Sequence, residues 1–172
     1  LKGIEYRLEN VNEETGIGEL VIKSPSQMQG YYKNPEATAA AFTEDGFFRT
    51  GDYGRIDKNG AITITGRKKN LIILSNGKNV YPEEIENELV AVPGVIDIIV
   101  YEGESKRGVE HNAIVAEIFP DKEFFEKNGI EDKDAHFKPY IDEYNKNTVP
   151  YKKIAITRVR EEEFPKNTLR KI

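Results

Sequence analysis

The sequence contains no cysteine, which removes disulfide bonds, thiolate nucleophiles and cysteine-based metal sites from consideration and accords with a cytoplasmic location. Histidine is almost as scarce. His111 falls in a polar loop and His136 in a helical stretch, with no metal-ligand spacing between them, so both read as solvated side chains. No serine stands in a nucleophile-elbow pattern and no complete glycine-rich phosphate cradle is present, which argues against a hydrolase with its own triad. No apolar run approaches a membrane span, and nothing resembles a signal peptide. The net charge of −5 argues against a general nucleic-acid or anionic-membrane surface.

What is present suffices for a core. Of 172 residues, 38% are hydrophobic and 32% charged, enough for one medium domain or a small domain plus part of another. The first residues lack an initiator Met and enter strand-like sequence at once, and Lys171-Ile172 carry no tail. Both ends read as cut from a longer chain.

Short strands are expected at Ile4–Glu9 and Glu19–Lys23, joined by the turn-rich Asn12–Gly18. Asn34-Pro35-Glu36 predicts a helix start, with a capping amide, a first-turn proline and an acid near the positive end of the dipole. Phe47–Ile56 is extended, and Asn59-Gly60 is a hairpin signal before Ala61–Thr65. Beyond residue 70 the pattern becomes α+β. Helices are expected at Pro82–Val92, Asp121–Asn128 and Asp132–Thr148, and strands at Val95–Tyr101, Ala113–Phe119 and around Ile154 and Ile156. Between the two halves, strands Ile62–Thr65 and Leu71–Ser75 flank a charged five-residue joint, Gly66-Arg67-Lys68-Lys69-Asn70, too polar for a buried strand centre.

Few side chains offer chemistry. Arg67 follows a glycine directly after a strand, and Lys171 follows Arg170. Each can bind carboxylate or phosphate, the arginine as a planar fork and the lysine as a point charge, or can be a surface charge. Asp52, after Thr50-Gly51, can accept two hydroxyl hydrogen bonds, as from a ribose, or serve only as a turn residue.

The order of the short motifs narrows these options. Gly18-Glu19-Leu20 and Gly30-Tyr31-Tyr32 lead into Lys33-Asn34-Pro35-Glu36-Ala37-Thr38. Thr50-Gly51-Asp52, Gly66-Arg67-Lys68-Lys69-Asn70-Leu71-Ile72 and Asn76-Gly77-Lys78-Asn79-Val80-Tyr81-Pro82-Glu83-Glu84-Ile85-Glu86 follow. Pro165-Lys166-Asn167-Thr168-Leu169-Arg170-Lys171 comes last. Across essentially the whole chain this series resembles the C-terminal part of the adenylate-forming superfamily of acyl-CoA synthetases, peptide-synthetase adenylation domains and luciferases.

The resemblance implies an α+β fold. Residues 1–67 would be a β-rich, barrel-like piece of a large domain and 68–70 a hinge. Residues 71–172 would form a mobile domain with a three- to four-stranded sheet and about three helices. It further implies activation of a carboxylate by ATP to an acyl-adenylate with release of pyrophosphate, then transfer to the thiol of CoA. Asp52 would bind the ribose hydroxyls, Arg67 ribose or phosphate, and Lys171 both the carboxylate and the α-phosphate. Lys69 would be the hinge residue, where many relatives have Asp. Gly77 and Lys78 would line the CoA path. Arg170 stands where many relatives have Gly.

The phosphate loop, the acyl pocket and the glutamate that helps hold Mg2+ would all lie in a missing N-terminal region of the same chain, so the 172 residues alone are expected to be inactive. The Asn76–Pro82 stretch and the Thr-Leu-Arg-Lys ending resemble long-chain fatty-acid–CoA ligases most. Partners would be fatty acid, ATP/AMP and CoA but not nucleic acid, with peripheral membrane association of the whole protein left open. Another acid–thiol ligase, or a non-catalytic interaction module, are the alternatives.

Overall fold

The computed structural model describes residues 3–103, 113–166 and 168. The chain divides into two compact units, Leu1–Asn70 and Leu71–Ile172.

In the first unit, alternation of apolar and polar residues builds four antiparallel strands: β1 (Glu5–Glu9), β2 (Gly18–Lys23), β3 (Phe48–Ile56) and β4 (Ile62–Arg67). They pair in the order β1-β2-β3-β4. The barrel-like piece expected here is therefore an open sheet, with β1 and β4 at its edges among the described residues. Helix α1 (Pro35–Ala41) starts as its sequence predicts, with Asn34 Oδ1 accepting from the Ala37 amide at 3.0 Å. Buried apolar residues are few: Ile17, Leu20, Val21 and Phe47.

The joint is shorter than its composition suggests. Gly66 and Arg67 are the last rungs of β4, opposite Tyr53 and Asp52, and Gly66 is buried. Backbone pairing overrides local polarity because β3 supplies ladder partners as far as Arg67. Only Lys68–Asn70 leave the sheet, as one 3₁₀ turn.

In the second unit, β5 (Ile72–Ile73) and β6 (Asn79–Val80) form a two-rung hairpin, shorter than the strand expected over Leu71–Ser75. Helix α2 (Pro82–Leu89) buries Ile85 and Leu89 and ends before Val92. Strands β7 (Val95–Gly103), β8 (Ala113–Pro120) and β9 (Ile154–Val159) form a sheet in the order β7-β8-β9; β7 and β8 are antiparallel, β8 and β9 parallel. The parallel pair requires a long crossover, supplied by α3 (Lys122–Asn128) and α4 (Lys133–Asn147). Both helices carry aspartate caps, from Asp121 to Phe124 and from Asp132 to Ala135.

One core joins these helices to one face of the sheet. It includes Ile85, Leu89, Ile98, Val100, Ile114, Ala116, Ile118, Phe125, Phe137, Ile141 and Tyr144. His136 lies at its rim, with Nε2 2.9 Å from Pro93 O and its ring beside Phe124, Phe125, Phe137 and Tyr140. It is half-buried and packs against these rings, where the sequence predicts a solvated side chain; His111 lies outside the described residues.

Candidate functional site

Strand β3 loses its regular register with β2 where chemistry is expected. Thr50 Oγ1 donates to Leu20 O at 2.7 Å and accepts from the Asp52 amide at 3.0 Å, with Gly51 between them at φ +71°. A side chain at residue 51 would have room but would be strained by that backbone angle. The register shifts again between Tyr53 and Gly54, and such a bulge turns the flanking side chains out of the regular alternation.

Asp52 thereby faces Arg67 across the ladder, with Nε 2.9 Å from Oδ1. The aspartate side chain is 25% exposed and the arginine side chain 52%. An ion pair this open is worth about 1 kcal/mol or less, so a ligand can part it at small cost. The donor set suits a nucleotide. A carboxylate accepts from a diol, and a guanidinium donates to an anionic oxygen.

Beside this pair runs a charge ladder that the sequence did not announce. Glu19 is 1% exposed, yet its Oε2 lies 2.8 Å from Lys68 Nζ and 3.7 Å from Arg49. Arg49 also holds Glu9 at 2.8 Å, and Arg7 bridges Glu9 and Asp45. Arginine 7 holds both carboxyls below the usual carboxylate range, and its own pKa is raised, chiefly by Asp45 and then Glu9. Lys68 and Lys69 are both exposed, but the Lys68 ammonium, at the first residue of the 3₁₀ turn, reaches in to the buried Glu19 carboxylate. The only sequence signal for Glu19 was its place in Gly18-Glu19-Leu20.

In the second unit Gly77 sits at the tip of the β5–β6 hairpin with φ +75°, its amide donating to Leu74 O at 2.8 Å. The Lys78 amide donates to Asn76 Oδ1 at 3.0 Å. A shallow concavity beside the turn is lined by Leu74, Ser75, Asn76, Tyr151 and Lys153. Lys171 lies outside the described residues. Asp52 and Arg67 are therefore brought together in one unit, and Gly77 with Lys78 lies in the other. Among the described residues, no group of three His, Asp or Glu side chains could hold a metal ion, and no helix is long and apolar enough to cross a membrane.

No family model matches the chain. Similarity to individual proteins is extensive. Over 92 residues the chain is 49% identical to the long-chain-fatty-acid–CoA ligase FadD13 of Mycobacterium tuberculosis, covering 54% of this chain and 18% of that protein. Over 137 residues it is 38% identical to a probable CoA ligase, CCL8, of Humulus lupulus, covering 77% of this chain and 22% of that one. The crystallised o-succinylbenzoate CoA synthetase of Bacillus subtilis, in complex with its acyl-adenylate intermediate, superposes on 100% of this chain and 33% of its own. Its TM-score is 0.81 at 27% identity. The chain belongs to the adenylate-forming superfamily. The matched residues span about a fifth of the length of each of these two CoA ligases. Within this superfamily the acids named for relatives vary, with a malonate–CoA ligase of Arabidopsis thaliana 41% identical over 101 residues.

Proposed function

We propose that this chain is the C-terminal part of an ATP-dependent, AMP-forming acid–CoA ligase whose acid is a long-chain fatty acid. The observation that carries the reading is the half-open Asp52–Arg67 pair on facing rungs, an acceptor and a donor matched to a nucleotide. Here Asp52 accepts the ribose hydroxyls and Arg67 turns to ribose or phosphate. A carboxylate oxygen of the acid attacks the α-phosphorus as the bond to pyrophosphate breaks. Lys171 lies between the two anions, offsetting their repulsion and the charge that builds at phosphorus. The thiolate of CoA then attacks the acyl carbon and AMP departs.

Residues 68–70 are the hinge of this reading, with Lys69 as pivot, and rotation there exchanges Lys171 for the Gly77 turn. Lys68 supports the assignment because its bond to buried Glu19 ties the start of the turn to the sheet of the first unit. At Gly77 a bare backbone next to a concavity suits the approach of a thiol arm. Mg2+ would be held by residues outside this chain, which alone is inactive.

The long-chain assignment rests on the likeness to FadD13. A small polar acid is the second reading, favoured by 48% identity over 81 residues to the sulfoacetate–CoA ligase of Cupriavidus necator. Both are tested in the full-length parent by assaying AMP and acyl-CoA formation across acids of different length. Lys171→Ala is expected to lower adenylation by roughly a hundredfold or more while sparing thioester formation from supplied acyl-adenylate. Equal loss of both steps removes the role given to Lys171.

A further inference from the structure

The face of the β7-β8-β9 sheet opposite the helices is crossed by the chain that follows β9. Leaving Val159, the Arg160 amide donates to Ile118 O at 2.9 Å, and the Arg160 guanidinium reaches Glu117 on β8 at 3.3 Å. Glu117 in turn accepts from the Tyr101 hydroxyl of β7 at 2.9 Å, and Arg158 donates to that hydroxyl. Phe164 is 4% exposed yet lies outside the helix-side core, with the Arg160 guanidinium stacked 4.2 Å above its ring. Two residues on, Lys166 Nζ lies 2.7 Å from Asp97 Oδ2 on β7 and 2.6 Å from Glu163. That Asp97 oxygen is buried, and the ammonium is its counter-charge. Asp97 and Glu163 hold Lys166 in its charged form, above the ordinary lysine range. The segment therefore leaves one edge strand, passes over the central one and is fastened to the other, a span of about 10 Å at ordinary strand spacing.

We propose that Asp97 and Lys166, with Phe164 as a plug, are positioning residues for adenylation: they fasten a strap across the sheet and fix the point from which Lys171 reaches the reacting phosphate. This rests on the role given above to Lys171. From Lys166, five residues reach at most about 17 Å even fully extended. A fixed origin at Lys166 thus shortens the tether that carries the lysine, whereas an origin at Val159 would allow more than twice that reach. Confinement is what a charge bridging two anions needs, since displacement of about 1 Å can cost a hundredfold in rate.

The test uses Asp97→Asn, the reciprocal pair Asp97→Lys with Lys166→Asp, and Lys171→Ala in the full-length parent. Adenylation is read as exchange of labelled pyrophosphate into ATP, and the second step as thioester formation from supplied acyl-adenylate. Asp97→Asn is expected to slow adenylation roughly tenfold to a hundredfold and leave the second step unchanged, with the reciprocal pair restoring most of the loss. In the 172-residue chain, Asp97→Asn should also speed amide exchange in peptides covering residues 160–166 and leave those of α4 unchanged. Equal loss in both steps, no loss in either, or unchanged exchange overturns the strap. If Lys171→Ala leaves adenylation intact, the role of the terminal lysine falls and the strap with it. If Lys171→Ala cripples adenylation and Asp97→Asn does not, only the strap falls.

Discussion

The two units solve the problem of burial differently. Among its described residues the first buries four large apolar side chains, Ile17, Leu20, Val21 and Phe47, and also a carboxylate, Glu19. Among its described residues the second buries eighteen hydrophobic ones, most of them in a single cluster between helices and sheet. Where the second adds its ion pairs to an apolar cluster, the first has mainly paired charge to rely on: Arg7 with Asp45 and Glu9, Arg49 with Glu9, Lys68 with Glu19. Exposed ion pairs contribute little each, and a buried charge is stabilising only while its partner stays in place. Position is what such pairs specify best. The charged unit is the one that bears the nucleotide candidates Asp52 and Arg67.

The largest expected effect comes from separating the units. Residues 71–172 expressed alone should unfold cooperatively in urea, because their core is their own. Residues 1–70 alone should show no cooperative transition, since four buried side chains and two open sheet edges fall short of offsetting the ordering entropy. A cooperative transition from 1–70 would break the comparison.

Lys68→Met should act next most strongly. It leaves the Glu19 carboxylate buried with Arg49 at 3.7 Å, and is expected to cost about 1–3 kcal/mol in urea unfolding of the full-length parent. Glu19→Leu combined with Lys68→Met removes both charges and should recover much of that loss. No loss from the single change would mean that the ladder is ornamental to stability.

The smallest effect is one of sign with pH. Asp45 and Glu9 are held low, chiefly by Arg7, so their contribution is present above the unfolded carboxylate pKa of about 4 and is lost as pH falls through the lower folded values. Glu86 in the second unit is shifted the other way. Burial raises its pKa although it accepts from the Val100 amide at 2.8 Å. Its contribution is present below about 4 and lost as pH rises through the raised folded value. Urea midpoints should therefore show Glu86→Gln gaining stability over the parent at pH 7 and none at pH 3. Asp45→Asn should lose stability at pH 7 by an amount that shrinks on acidification. Matching trends for the two variants would erase the contrast.

Much of the fold was legible because its signals are local. Asn34, Asp121 and Asp132 cap helices through amides three residues away, and Gly129 ends α3 in a left-handed turn, all within one window of sequence. Composition places Arg67 in the charged joint after the strand rather than on the strand itself, because its strand partner is Asp52 and polarity says nothing about a ladder formed at that separation. The parallel course of β9 depends on a crossover that no short pattern encodes. Of the site, Asp52 and Arg67 could be proposed from motif order, but their meeting could not. Asp97 was invisible: one acid in an apolar strand acquires meaning only when Lys166 arrives beside it. Lys166 itself stood inside a quoted motif with no task.

The parallel pairing of Ile114 with Ile154 has a kinetic consequence. Antiparallel β7 and β8 can zip as a hairpin, but β9 can join only after α3 and α4 have been made and the long loop between β8 and β9 has closed. During synthesis the sheet stays two-stranded, with one edge of β8 unsatisfied, until Val159 has left the ribosome. The strap residues emerge directly afterwards, onto a surface that has only just been completed. Folding order thus guards against a premature strap: its anchor at Asp97 is already in place, but the second edge of the central strand it must cross stays bare until β9 docks.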